Sequence, residues 1–314
     1  MLRQYLLKRF FVAIPSFLIA TVIVFSLARL IPGDVVVLMM EENQYAEDLE
    51  ALRAKLGLNR PIYVQYFEWM GRLARGDLGE SLYTRRQVAS ELAARVPVSL
   101  ELGAVALFFA ILMGVPIGIV AATRQDTAQD YMARGGAILG LSVPGFWLGT
   151  LVVVLPAIYF KWTPPIQFTR WAVDPWGHLG QFLLPGFLLG IASAASIMRL
   201  TRTQLLEVLR QDYVRTAWSK GLGERLVVLK HSLKNALIPV VTVLGLQIAQ
   251  VLSGTVVFES IFGLPGMGRF LFDAISERDY PVIQGINLVV VTTVVVVNLV
   301  VDAVYALLDP RIRY

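Results

Sequence analysis

The sequence predicts an all-α polytopic membrane protein with six transmembrane helices and with both termini in the cytoplasm. Of its 314 residues, 56% are hydrophobic and only 16% are charged. The mean hydropathy of +0.63 exceeds what a soluble domain of this length can bury in a core. The apolar residues form runs of about 20, the length with which a helix crosses a bilayer.

Six such runs account for most of the chain: residues 10–31, 97–122, 136–160, 182–198, 236–258 and 282–308. The first follows Arg3, Lys8 and Arg9, as the apolar part of a signal peptide would. It is too long for that region, and no small-x-small cleavage site follows it, so we expect a retained helix. The predicted organisation is a first helix with a long outer segment (1–96), a core transmembrane domain (97–308) and a cytoplasmic tail (309–314).

Lysine and arginine are unevenly distributed between the two sides of this predicted bundle. With the amino terminus inside, the inner segments carry fifteen of these residues and the short outer loops carry four. The long outer segment is excluded because loops of that length translocate regardless of charge. The positive-inside rule therefore places both termini in the cytoplasm. The net charge of +5 reflects this topology and requires no nucleic-acid partner.

The outer segment contains one further predicted helix. Asn59 and Pro61 have the residue types of an N-cap and an early helical position, and Ile62, Tyr66 and Leu73 then recur at helical spacing. Its aromatic residues favour the membrane interface. This helix either lies on the rim of the bundle or forms a docking surface for an external partner.

Signatures of catalysis are missing from the sequence. It has no cysteine and contains neither a G-x-x-x-x-G-K-[ST] phosphate loop nor an H-E-x-x-H metal motif. Its two histidines, His178 and His231, are predicted on opposite sides of the membrane, so we expect no metal site and no histidine-based catalytic pair. A membrane enzyme is disfavoured.

Polar residues within the predicted spans are candidates for a transport pathway. The ionisable ones are Arg29, Glu101, Glu259 and Asp302. They lie near helix ends, where a side chain can either snorkel to the membrane surface or take part in transport, and Glu259 is the strongest candidate for a transport role. Gln247, Gln250 and Ser253 share a broad face of the fifth span. They either line a polar conduit or bond to neighbouring helices.

Residues 212–241, DYVRTAWSKGLGERLVVLKHSLKNALIPVV, are unusually basic for a segment between two hydrophobic spans. Val214, Ala217 and Trp218 lie on one predicted helical face, Gly221 stops that helix, and a second helix begins near Glu224. An apolar row at helical spacing continues along this second helix through Leu226, Leu229, Leu233 and Leu237. The pattern indicates two helices meeting at a glycine elbow. A basic loop held on anionic lipid is the alternative.

This passage resembles the cytoplasmic EAA loop of ATP-binding cassette (ABC) importer permeases, with the pattern E-A-A, three residues, G, nine residues, I-x-L-P. Ala217, Gly221 and Leu233 match at the same spacing. Four positions depart from this pattern: Arg215, Thr216, His231 and Lys234. They follow instead the D-Y-x-R-T-A-x-x-K-G and H-x-L-[RK]-N-A-x-x-P variant of the dipeptide and oligopeptide branch. Further landmarks similar to that branch are IPGD (31–34), LGL (56–58), GDLG (76–79), FGLPGMGR (262–269), RDYPV (278–282) and DPRIR (309–313).

The resemblance implies a type I ABC importer permease fold and a coupling loop at about 199–235. It implies four kinds of partner: a second homologous permease subunit, two cytoplasmic ATP-binding subunits that hold ATP and Mg, an extracytoplasmic solute-binding protein and the lipid bilayer. The residues implied to couple to the ATP-binding subunits are Asp212, Tyr213, Arg215, Thr216, Ala217, Lys220, Gly221, His231 and Asn235.

The resemblance implies a peptide importer subunit in a bacterial or archaeal cytoplasmic membrane, without an ATPase site of its own. Permeases for glutathione, nickel complexes and some oligosaccharides belong to the same branch, so these substrates remain alternatives. An ion-coupled secondary transporter would show inverted repeats and ionisable groups at the membrane midplane. A membrane scaffold would not explain the polar face that Gln247 and Gln250 form.

Overall fold

The computed structural model describes residues 2–30, 59–165 and 167–308. Their regular structure is helical, and an isolated antiparallel bridge pairs Glu80 with Gln87. Several predictions lie outside the described residues: the IPGD, LGL and DPRIR landmarks, the tail 309–314 and the side chain of Arg29.

The helices in chain order are α1 (Leu2–Leu30), α2 (Ile62–Leu73), α3 (Val88–Thr123), α4 (Ala128–Ser142), α5 (Gly145–Phe160), α6 (Pro175–Leu209), α7 (Asp212–Ser219), α8 (Glu224–Leu226), a π-helical segment (Val227–Ser232), α9 (Leu233–Phe262), α10 (Met267–Ser276) and α11 (Tyr280–Leu308). The predicted spans 97–122, 182–198, 236–258 and 282–308 each lie inside one helix. Helix α3 begins nine residues before its predicted span, so it extends beyond the apolar run.

Four helices among the described residues are long and apolar enough to cross a membrane, and one bent pair raises the number to five. The four are α3, α6, the run Glu224–Ile248 and α11. Helix α1 contains a shorter apolar stretch, Phe11–Ser26. The six-span count and the side on which the termini lie stay predictions.

The predicted span 136–160 falls on two helices, α4 and α5, which meet at a bend of 86°. Val143 and Pro144 have extended backbones, with ψ angles of 121° and 127°. A residue before proline is pushed out of the α region by the proline ring, so the helix ends there. The apolar run is continuous in sequence, but its backbone is not continuously helical.

The outer helix predicted from Ile62 to Leu73 is confirmed, but the assignment of Asn59 as its cap is wrong. Pro61 occupies the N-cap position, and no side chain caps the helix. Trp69 is buried and packs at 5.7 Å from the ring of Phe25 in α1. These contacts place one face of α2 against the bundle.

Helices α3 and α6 form the centre of the bundle, and glycines allow their backbones to approach closely. A Cβ atom on Gly190 would lie 2.6 Å from the carbonyl oxygen of Ala106. Gly114, Gly118 and Gly186 make similarly close contacts across the same pair. Small residues serve this purpose in membrane helices, where dispersion contacts between backbones replace hydrophobic burial.

Two buried carboxylates fasten the elements at opposite ends of the bundle. Asp130 in α4 accepts two hydrogen bonds of 2.7 Å from the Arg202 guanidinium in α6. Asp279 accepts bonds from the Ser81 hydroxyl at 2.5 Å and from the Leu82 N–H at 3.2 Å. Through Asp279, the RDYPV landmark meets Ser81 and Leu82, which lie just after the GDLG landmark and about 200 residues away in sequence.

Cysteine labelling would test the predicted topology. Single cysteines at Ser219 and Thr84, both exposed, are expected to react with an impermeant thiol reagent from opposite faces of the membrane. Position 219 should react only from the cytoplasm, because the positive-inside rule predicts the basic loops on that side. Ser81 would be a poor substitute for Thr84, since its side chain is buried. Labelling of both positions from one side would contradict the topology.

Candidate functional site

The candidate coupling site is built around α7, which lies between two long membrane helices. With eight residues, α7 is too short to be stable alone. Val214 and Ala217 hold it in place, because both side chains are buried against Val227 of the same chain. Ala217 therefore packs inside its own subunit, whereas Trp218, predicted on the same face, is 44% exposed.

The predicted glycine elbow is confirmed. Gly221 has a φ of +74°, in the left-handed region that L side chains rarely adopt. Its N–H donates a 2.9 Å hydrogen bond to the carbonyl of Trp218, which closes α7. Gly223 then occupies the N-cap position of α8 with an ordinary φ of −66°. Of these two positions, only Gly221 therefore requires the backbone freedom of glycine.

Most of the predicted coupling residues lie on the exposed face of α7. The exposed ones are Asp212, Tyr213, Arg215, Thr216 and Lys220, together with Trp218. Arg215 lies 3.3 Å from the carboxylate of Asp212, and this pair is highly exposed on both sides. The helix thus offers an aromatic and polar face that the described part of the chain leaves uncovered.

A hydrogen bond joins α7 to the start of α9. The side-chain amide of Asn235 donates to the Tyr213 hydroxyl at 2.8 Å. These two predicted residues are 22 positions apart in sequence and meet because the elbow turns the chain back. His231, the remaining predicted residue, is half-buried in the π-helical segment between them.

The apolar row predicted along the second helix needs correction. Leu226 and Leu229 are more than 40% exposed, whereas Val227 and Val228 are buried. The segment Val227–Ser232 is π-helical, and the buried Ser232 hydroxyl donates to the carbonyl of Val227 at 3.1 Å. A π turn contains more residues than an α turn, so it moves the buried face to different positions than a 3.6-residue period predicts.

A cavity of about 220 Å³ with a mostly apolar surface lies between α6 and α9, and we call it the polar cavity after the four polar side chains in its lining. Gln247 and Gln250 line it, whereas Ser253 is not among its lining residues. Ser193 and Ser196 of α6 complete the polar lining. Sequence reasoning missed these two serines, although their spacing of three in an apolar helix places them on one face.

Glu259 is placed differently from the glutamines. It is fully buried, and its carboxylate accepts bonds from the Ser99 hydroxyl at 2.6 Å and from the Arg269 N–H at 2.9 Å. Ser99 in turn accepts a bond from the N–H of Met267, the first residue of α10. The carboxylate thereby fixes the FGLPGMGR landmark against α3, which is a structural task. Its proposed transport role stays a prediction.

The remaining ionisable residues have partners that the sequence did not predict. His178 lies 2.9 Å from both carboxylate oxygens of Glu101, and its Nδ1 donates to the Thr169 carbonyl at 2.7 Å. Asp302 lies 3.3 Å from Arg9 of α1.

The family model of binding-protein-dependent transport system inner membrane components matches residues 114–314, and the model of its N-terminal region matches residues 1–103. The dipeptide transport system permease protein DppB of Escherichia coli strain K12 is 39% identical, with 99% of both chains covered. The di/tripeptide permease DppB of Pseudomonas aeruginosa is 42% identical, and the glutathione permease GsiC of Escherichia coli O6:H1 is 39% identical, each at the same coverage.

A solved structure of the methionine ABC transporter MetNI, in an inward-facing conformation, has a similar fold. The TM-score is 0.57 at 14% sequence identity, and the match covers 69% of this chain and 96% of the other. At that identity the likeness concerns the fold alone. The family models and the full-length relatives carry the assignment, and the chain belongs to the family of binding-protein-dependent transport system inner membrane components.

Proposed function

We propose that this chain is the permease subunit of an ABC importer that carries di- or oligopeptides across the cytoplasmic membrane of a bacterium or archaeon. Full-length similarity to dipeptide permeases supports the substrate class. The observation that carries the coupling role is α7: a short helix seated by its own chain, with an uncovered face of aromatic and polar residues.

The proposed transporter contains four further subunits. A second homologous permease completes the pathway, two cytoplasmic subunits bind ATP and Mg, and an extracytoplasmic solute-binding protein delivers the substrate. This chain has no phosphate loop, so hydrolysis belongs to the partners. The exposed face of α7 would sit in a groove of one ATP-binding subunit.

The contacts around α7 suggest how movement would reach the membrane. Val214 and Ala217 tie α7 to the π-helical segment, and Tyr213 is bonded to Asn235 of α9. A displacement of α7 by the ATP-binding subunit would therefore move the beginning of α9. Because α9 also carries Gln247 and Gln250, the same displacement would change the polar cavity. The chain would thus convert partner ATP cycles into alternating access.

Transport by the complete complex in proteoliposomes would test this function. We expect uptake of a labelled dipeptide that requires the binding protein and hydrolysable ATP, because the permease has no other energy source in this scheme. The chain purified alone should neither bind nor hydrolyse ATP above background. Uptake driven by an ion gradient without the ATP-binding subunits would instead indicate a secondary transporter.

Glutathione is the alternative substrate that a specific relative favours, since GsiC is 39% identical over the full chain. The ligand retained by the cognate binding protein would separate the two. A bound dipeptide or oligopeptide supports the proposal, whereas bound glutathione, a nickel complex or an oligosaccharide would replace the substrate and leave the permease role intact.

A further inference from the structure

The polar cavity between α6 and α9 lies near the middle of both predicted spans and is lined without any charged side chain. Its polar lining consists of Ser193, Ser196, Gln247 and Gln250, and the remaining lining residues are leucine, alanine and valine. Two hydroxyls and two amides converge from two helices at a depth where most neighbouring residues are apolar. Such groups cost free energy in a membrane unless something polar meets them.

Both hydroxyls of this cluster already donate within the chain, and the Ser196 hydroxyl does so to the carbonyl of Ala192 in the same helix at 3.2 Å. The Ser193 hydroxyl donates to the amide oxygen of Gln247 at 2.9 Å, and both side chains are more than 90% buried. This bond fixes the orientation of Gln247, so what it offers to the cavity is its NH2 group, a donor. The exposed Gln250 lies one turn further along α9 and offers both a donor and an acceptor.

The cavity therefore presents donors and an acceptor without a charge. A peptide group has the complementary set, one N–H and one C=O, and every peptide contains it whatever its side chains. A charged lining would attract peptides of one charge and repel those of the other. A lining of amides and hydroxyls avoids this selection.

We propose that Gln250 and Gln247, the latter oriented by Ser193, form a station that hydrogen-bonds the peptide backbone of the substrate during passage. This inference rests on the proposed peptide import. It adds the part of the substrate that is recognised in the membrane, the amide group, and explains the use of neutral residues. Substrate selection by side-chain charge is then left to other subunits.

Charge substitution at Gln250 would test the station in the complete complex, with Ala-Lys and Ala-Asp as competing labelled dipeptides. Gln250→Glu should raise the uptake ratio of Ala-Lys to Ala-Asp roughly tenfold over wild type, because a carboxylate attracts one side chain and repels the other. Gln250→Leu should lower uptake of both dipeptides about fivefold, the effect of one lost hydrogen bond, without changing the ratio. The binding protein is the same in every sample, so its preference cancels.

Ser260→Glu is the matched control, since Ser260 is exposed on the same helix and lies about 15 Å further along it. Its ratio should remain that of the wild type. An unchanged ratio in Gln250→Glu, or an equal change in Ser260→Glu, would overturn the station. Loss of the second permease subunit from purified Gln250 variants, with no ratio change, would show that this face is a subunit contact. A wild-type complex without ATP-dependent uptake would contradict the proposed function, and this inference with it.

Discussion

Gly221→Val is expected to reduce ATP-driven peptide uptake by the assembled transporter by roughly tenfold or more, with normal amounts of inserted chain. Gly221 has a φ of +74°, and an L residue in the left-handed region costs about 1–2 kcal/mol, with β-branched residues worse. No atom lies within 4 Å of a Cβ built at this position, so the cost arises from the backbone. The elbow would relax, and α7 would leave the position in which we propose that it meets the ATP-binding subunit.

Two substitutions test whether the loss of uptake comes from the left-handed backbone at Gly221 or would follow from the replacement of any glycine in this loop. Gly223→Ala should be tolerated, because Gly223 has a φ of −66° and no atom within 4 Å of an added Cβ. Gly221→Asn should retain most uptake, since asparagine tolerates the left-handed region. Uptake, binding-protein-stimulated ATP hydrolysis and co-purification of the ATP-binding subunits would be measured for each. Equal loss in Gly223→Ala would argue against the elbow.

The alternative for residues 212–241 is a membrane anchor held by its positive charge. It predicts the opposite ranking: Lys230→Gln together with Lys234→Gln would abolish activity, and Gly221→Val would transport at the wild-type rate. Both lysines are exposed, as an anchor requires. The buried contact of Ala217 with its own chain favours a positioned helix, because lipid attraction depends on summed charge and not on packing.

Among the substitutions proposed for this chain, Asp130→Ala is expected to lower the free energy of unfolding the most, by about 3–5 kcal/mol. The reason is that it leaves a buried charge without its partner. The Asp130 side chain is fully buried and Arg202 is 16% exposed, with two bonds of 2.7 Å between them. Arg134 lies 3.6 Å from the same carboxylate. The pair joins α4 to α6, so its loss should loosen the packing between these two helices. Thermal unfolding of the detergent-solubilised protein would measure the change.

Glu68→Ala is the matched control, since it also removes a carboxylate from an arginine. The Arg60–Glu68 pair is about half exposed on both sides, and exposed pairs contribute about 0–1 kcal/mol. The double variant Asp130→Leu with Arg202→Met should recover much of the loss, because it removes both charges. Similar melting temperatures for Asp130→Ala and Glu68→Ala would show that the buried pair contributes little.

Local patterns predicted the features that depend on neighbouring residues. The helix Ile62–Leu73, the stop at Gly221 and the restart at Glu224 follow from periodicity and from the backbone freedom of glycine, which act over a few positions. The same approach failed at the π-helical segment Val227–Ser232. An assumed period of 3.6 residues assigns the wrong buried face when one turn is wider.

Composition, the basic asymmetry and the motif spacing were sufficient to predict a polytopic α-helical protein of the ABC permease type. These signals depend on single residues and on short spacings between residues, so they can be recognised in the sequence alone. The tertiary structure alone decided how sharply the run 136–160 bends at Pro144, that Ala217 faces its own chain and that Ser193 meets Gln247. The physical reason is that burial and hydrogen bonding between distant residues depend on how helices cross. In this chain the crossings are set by close glycine contacts and buried carboxylates, whose partners lie up to about 200 residues away in sequence.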